Sequence, residues 1–253
     1  MTNIRVYDIP VPKDKLRAMP IDERGFLLSL GYSANYVSML QKLLIFSMNS
    51  RPPSDAETLL SAAQTQMLLR LLIGALHETW VLINDRYLDE SLERDYGSRL
   101  DDGGRAALSA LKTVFQEPSV LTIVRNNFSF HYPNDKVLNN AIEDAYKNPD
   151  SDDLWRLYFS QYGFNSLFLV SDLMAIHGIS RLIKESDVAK VQERLMSDVR
   201  SAADATFQFT NAFFAAAWQK NFGSVIDAKA LITIDNPPLM KSVTIPFFVD
   251  MNG

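Results

Sequence analysis

The chain has 253 residues, 47% apolar and 22% charged, a balance that excludes global disorder and supplies enough core to fold without staples. It has no cysteine and three histidines, which excludes a disulfide framework, thiolate metal sites, iron–sulfur clusters and cysteine nucleophiles, and argues against a His-rich metal centre. A net charge of −5 argues against broad, non-specific nucleic-acid binding but not against a local basic site.

In chain order, the proline pattern outlines the elements. The windows 54–117 and 150–236 contain no proline, and only ten glycines are present, so long helices are expected. Residues 1–9 carry charge and no apolar run, so no signal peptide is expected. A first helix is predicted within 22–49, ending before Arg51-Pro52-Pro53. Ser54-Asp55-Ala56-Glu57 has the pattern of a capping box, and apolar residues recurring from Leu60 to Val81 carry the second helix to about residue 86. Its most apolar part, 67–83, is broken by Arg70, His77 and Glu78, so a bundle helix is expected rather than a membrane span.

Tyr96-Gly97 and Asp101-Asp102-Gly103-Gly104 predict a surface loop, followed by a third helix over about 104–116. Pro118 suits the first position of a fourth helix that stops near His131, because Tyr132 precedes Pro133. A short helix over about 136–147 leads to the best internal linker, 148–153. Trp155, Leu157 and Phe159 alternate with polar-tipped neighbours and predict a strand over 155–160. Helices are predicted over about 165–183 and from Ser186 to Gly223, the latter about 50 Å long. Leu231-Ile232-Thr233-Ile234 and Val243-Thr244-Ile245, around Asn236-Pro237-Pro238, read as a hairpin. The predicted fold is mainly α: an antiparallel helical bundle over about 22–222, a linker or insert at 133–153, a C-terminal β-hairpin at 229–249 and one further short strand, all in a single domain.

Several chemistries lack their motif. There is no Walker A sequence, GxGxxG, GxSxG or HExxH, and the nearest calcium-loop candidate, Asn84, Asp85 and Asp89, lacks the required Gly and closing Glu. No cofactor or metal is expected. The informative run is Val124-Arg125-Asn126-Asn127-Phe128-Ser129-Phe130-His131-Tyr132. It gathers a permanent cation, an amide and an imidazole around one helix end. An arginine can stabilise a pentavalent phosphate, and a histidine can take or give a proton near neutral pH. The pair suits metal-free RNA cleavage, in which the ribose 2′-OH attacks the adjacent phosphate. On a continuous helix six residues turn through about 600°, so His131 shares a face with Arg125 only if the chain departs from the helix.

This run resembles the signature of the HEPN superfamily (higher eukaryotes and prokaryotes nucleotide-binding), an Arg, usually a polar residue, and a His after four to six intervening residues. Arg125, Asn126 and His131 match that pattern. The resemblance implies an antiparallel bundle, metal-independent endoribonuclease activity or RNA binding in a toxin–antitoxin or defence setting, and a homodimer with two motifs facing one cleft. RNA, an antitoxin or another protein is the partner class it implies. Other members of the superfamily are inactive interaction modules. A Tyr two residues after the His marks one subtype; here Tyr132 follows directly, and position 133 is Pro.

Alternatives stand beside this reading. Arg125 and His131 can instead serve helix-end carbonyls. Between 118 and 147, Asp135, Glu143 and Asp144 match Arg125, Lys136 and Lys147, so no basic patch is evident. Arg70, Gly74, His77 and Glu78 share a face of the second helix, where Glu78 could pair with Arg125 or orient His131, or where the four form an ordinary polar seam with Gly74 allowing a close crossing. Trp155, Tyr158, Tyr162 and Phe164 read either as base-stacking residues or as core. His177, beside Gly178, reads as structural. The function expected is a ribonuclease or RNA-binding effector in the cytoplasm. The alternatives are a catalytically silent interaction protein of the same fold and a small-ligand binder using the bundle interior.

Overall fold

Long helices occupy the proline-free windows in the computed structural model of the chain, which describes residues 3–88, 91–147, 154–223 and 230–250. A strand, β1 (Asn3–Asp8), and a short helix, α1 (Lys13–Ala18), precede α2 (Ile21–Met48) and α3 (Asp55–Ile83). A π turn (Asn84–Leu88) continues α3 and is followed by α4 (Ser91–Tyr96), α5 (Asp102–Val114) and α6 (Val120–Val124). A second π turn (Arg125–Ser129) continues α6. Then come α7 (Asp135–Tyr146), α8 (Leu169–Ile183), α9 (Val188–Asn221) and β2 (Ala230–Asp235). The predicted class holds: mainly α, with a small two-stranded antiparallel sheet.

Local chemistry sets the helix ends. Ser54 Oγ accepts the Glu57 N–H at 3.3 Å, and the Ser54 hydroxyl donates to Glu57 Oε2 at 2.6 Å, so the box closes on the hydroxyl rather than on the Ser54 backbone. Ser119 caps α6, accepting the Thr122 N–H, which puts Pro118 ahead of the cap and not inside the helix. Asn134 caps α7 and Asp187 accepts the Ala189 amide at the start of α9. The segment 133–153, expected as a linker or insert, contains α7; the linker proper, 148–153, lies outside the described residues.

Three expectations change. The surface loop around 96–104 is partly core: Tyr87, Leu92, Tyr96 and Leu100 are buried, the last three at the four-residue spacing of a helix face. The 155–160 strand reduces to one antiparallel bridge, Tyr158↔Leu167, because the chain turns back at Gly163–Asn165 and Ser166 Oγ takes the Ser160 N–H. The C-terminal hairpin at 229–249 does not form. β2 pairs instead with β1, from Asn3↔Asp235 to Asp8↔Ala230. After β2, Asn236 adopts φ 50° ahead of Pro237-Pro238, and Asn49 Nδ2 donates to the carbonyls of Met240 (2.7 Å) and Val243 (3.0 Å). The Met240 carbonyl also accepts the Val243 N–H at 3.3 Å, so this stretch closes a turn instead of a ladder.

The chain divides into two compact units, and α2, α3, α9 and, by its last residue, α5 contribute to both. The first comprises Met1–Val37, Glu78–Thr113 and Ser201–Leu239. Its centre is a ring cluster of Phe26, Tyr87, Tyr96, Phe209 and Phe213, with Phe213 edge-on to Phe26 at 4.8 Å and Tyr87 edge-on to Phe209 at 5.1 Å. Beside it, buried Glu23 accepts from Tyr96 Oη at 2.5 Å and from Lys220 Nζ at 2.5 Å. Burial alone would raise the Glu23 pKa; the bonds from Lys220, Tyr96 and Asn221 outweigh it and hold the carboxyl below its ordinary value.

The second unit comprises Ser38–His77, Val114–Arg200 and Met240–Gly253. Leu60, Ala63, Leu167 and Leu169 form one of its apolar clusters, with Tyr158 against it; Ala141, Ala145, Leu173 and Met174 join α7 to α8 in another. Asn165 brackets the backbone of Val249, donating to its carbonyl at 2.8 Å and accepting its N–H at 3.1 Å.

Candidate functional site

The run predicted to carry chemistry lies in the second unit and is anchored by its apolar members. Phe128 is buried against Gly178 of α8: a Cβ on that glycine would fall 2.7 Å from Phe128 Cζ. Phe130 sits on Gly74 of α3 in the same way, its Cε2 2.7 Å from where a Cβ would be. Between them, the Ser129 hydroxyl donates to the Arg70 carbonyl at 2.7 Å. Asn127 Nδ2 donates to the Ile123 carbonyl at 2.8 Å, the acceptor an α-helix would reserve for the Asn127 amide, and so compensates the π turn.

Arg125, half-buried, opens the π turn and donates from Nη1 to Asn126 Oδ1 at 2.9 Å. Helical geometry ends at Ser129, so the direction of His131 follows from the seating of Phe130 and not from a helical period. His131 is exposed, and Tyr132 is 99% exposed, which leaves its ring free of packing.

The face of α3 divides its tasks. Arg70 Nη2 bonds Asp172 Oδ1 of α8 at 2.5 Å in a buried ion pair, the polar seam of the plain reading. Gly74 gives the close crossing, and what crosses it is the candidate run itself. His77 lies edge-on to Phe115 at 5.9 Å. Glu78 is exposed and belongs to the first unit. Of the aromatic residues considered for base stacking, Tyr158 is part of the core, whereas Phe164 is exposed and stacks on Tyr162 at 6.2 Å.

Asp172 and Gly178 were not foreseen. The sequence signal for Gly178 was its place beside His177 on an apolar helix, where a glycine marks a close approach as readily as a weak point. Among the described residues there is no group of three or more His, Asp or Glu placed to hold a metal ion. Also among the described residues, one helical stretch, Asp55–Leu88, is long and apolar enough to cross a membrane; half of its most apolar window is buried inside the protein. Comparison with family models, with curated proteins and with solved structures finds no match.

Proposed function

We propose that the second unit carries a HEPN-type, metal-independent endoribonuclease site in which Arg125 and His131 act on RNA, with Asn126 holding the guanidinium. One observation carries the reading: the Arg125–Asn126 bond heads a turn pinned by Phe128 and Phe130, and the same pinned segment leads directly to an exposed imidazole. In the reaction, His131 takes the proton of the ribose 2′-OH as its oxygen attacks phosphorus. Arg125 stabilises the charge on the phosphorane oxygens. The P–O5′ bond then breaks as the 5′-oxygen takes up a proton from water, leaving a 2′,3′-cyclic phosphate and a 5′-hydroxyl, and His131 returns its proton to solvent. The reading brings with it a cytoplasmic homodimer with paired motifs, since one chain supplies one Arg–His set. It also takes α3 as a bundle helix, in keeping with the burial of Leu69, Leu72, Ile73 and Leu76.

The test combines RNA cleavage and melting on the same variants. His131→Ala is expected to lower cleavage by about 10²–10⁴-fold. Arg125→Ala does the same, and Arg125→Lys does not restore it, because lysine lacks the planar fork. Stability changes by no more than about 1 kcal/mol in each. Cleavage persists in EDTA and leaves the cyclic phosphate, and light scattering gives twice the monomer mass. Full cleavage by His131→Ala removes the site; a need for added magnesium removes the mechanism.

A second reading is a catalytically silent interaction protein of the same fold. It is favoured by the engagement of Phe128, Ser129 and Phe130 of the same run in packing. Under it, the His131 and Arg125 variants change melting and no cleavage exists to lose.

A further inference from the structure

A groove of about 1000 Å³ lies in the second unit, away from the Arg125–His131 run in sequence and lined by the end of α7, one face of α8 and the turn into α9. Leu173, His177, Ser180, Arg181 and Lys184 follow one another at offsets of four, seven, eight and eleven, the spacing of one helix face. One of these polar residues is buried without a bonding partner, and a buried imidazole lies beside it. Ser180 is 6% exposed, and its hydroxyl has no hydrogen bond among the described residues, not even to the carbonyl one turn back that a helical serine ordinarily uses. His177 is 8% exposed and lines the same face of the groove. Burial holds its pKa below the ordinary 6.5, against an upward pull from Asp144, so at neutral pH the ring offers one donor and one acceptor. Buried polar groups are bonded in the great majority of cases, so an unbonded hydroxyl next to an imidazole on one groove-lining face calls for a partner.

The charges at the rim are unequal in what they have left to give. Asp144 is bonded to Arg181 at 2.8 Å. Glu185 accepts the Asp187 amide at 2.9 Å, and Asp187 caps α9. Lys147 and Lys184 pair with no carboxylate among the described residues, and both are exposed. Lys184 adopts φ 59°, ψ 39° where α8 ends, a left-handed conformation that glycine takes without steric cost. As a helix stop, lysine is the poorer choice; what it adds there is an ammonium.

We infer that this groove binds a small organic anion, its charged head between Lys147 and Lys184, its polar substituents on Ser180 and His177, and its apolar body on Leu173, Ile176 and Val188. The volume is at the upper end of small-molecule sites. The inference does not depend on the ribonuclease reading.

The experiment is calorimetric titration of the full chain with phenyl phosphate, inorganic phosphate and benzyl alcohol, the last two lacking the body and the charge respectively. Phenyl phosphate is expected to bind at least about tenfold more tightly than either, since only it satisfies both ends of the groove. Lys147→Ala and Lys184→Gly each weaken it about threefold or more, and Ser180→Ala weakens it with the fold intact. Lys184→Gly also raises Tm by about 2 °C, because the left-handed turn is relieved; a role in folding alone would move Tm without moving binding. Benzoate binding at least as tightly as phenyl phosphate assigns the head as a carboxylate, and weaker binding assigns a phosphate. Binding unchanged by His131→Ala keeps this site separate from the proposed ribonuclease site. Benzyl alcohol binding as tightly as phenyl phosphate, no binding at millimolar concentration, or unchanged binding in the Lys147→Ala, Lys184→Gly double variant overturns the proposal.

Discussion

The two π turns repeat one local design with different outcomes. Each has five residues, begins with a polar side chain bonded to its neighbour (Asn84 to Asp85 at 3.1 Å, Arg125 to Asn126 at 2.9 Å) and buries an aromatic residue in its fourth place, Tyr87 or Phe128. In the first, Arg86 donates to the Asp22 carbonyl and Tyr87 is enclosed by Phe26, Phe209 and Phe213, so the turn is spent on its own unit's core. In the second, the packing is done by Phe128 and Phe130, Arg125 is half-buried and bonded to Asn126, and the imidazole of His131 is exposed. A widened turn is therefore not itself a sign of function; what matters is whether its polar groups are consumed by the fold.

The largest effect expected on this comparison comes from deleting the two buried rings. Tyr87→Ala and Phe128→Ala should each cost about 3–5 kcal/mol in urea unfolding. Below the unfolding transition, RNA cleavage should fall only with Phe128→Ala, and an equal fall with both would erase the distinction between the turns. Next come the glycine seats. Gly178→Ala meets a buried ring that has nowhere to go and should cost about 1–3 kcal/mol. Gly74→Ala meets Phe130, 46% exposed and able to swing aside, so it should cost less than about 1 kcal/mol while lowering cleavage through the displaced His131. Cleavage that tracks stability in both variants would show that Phe130 positions nothing.

Acid should act on the two units in different windows. The folded His177 pKa lies below 6.5, so the unfolded chain takes up that proton first, and stability falls as pH drops from about 6.5 toward the folded value. Glu23 is likewise depressed, from 4.5, so its contribution is present above 4.5 and is lost as pH falls through its lower folded value. Hydrogen exchange should register the His177 step in the second unit first. His177→Gln should remove that step, and Glu23→Gln should flatten only the one below 4.5. The smallest effect is Tyr87→Phe. The Tyr87 hydroxyl has no hydrogen bond among the described residues, and burial, aided by the charge of Glu93, pushes its pKa up to about 12. Removing it should leave stability unchanged or raise it by up to about 1 kcal/mol; a loss beyond that would show that the hydroxyl is bonded.

What the sequence disclosed divides along physical lines. The courses of α2, α3, α5, α7, α8 and α9 were legible because proline, glycine, caps and three-four periodicity act within a few residues. The partner of β2 was not, because the choice between 243–245 and a strand starting at residue 3 turns on contacts across almost the whole chain and on two carbonyls taken by Asn49. Tyr87 and Tyr96 were hidden because nearby Gly and Asp signal a loop, whereas burial depends on rings from α2 and α9. At the candidate site, Arg125, Asn126 and His131 stood out by residue type. The rings that hold them did so only through Gly74 and Gly178, whose value lies in what is missing from them.

The way the C-terminal segment is held has an evolutionary corollary. Asn49 and Asn165 grip it through the backbone groups of Met240, Val243 and Val249, groups that every residue type carries, proline's missing amide aside. Drift in the side chains of Met240, Val243 and Val249 would therefore leave these bonds intact, while either asparagine, far away in the chain, would be intolerant of change, as would Phe247, which packs on the Leu60–Leu169 cluster. Apart from that one ring, the specification of this stretch is written largely outside it.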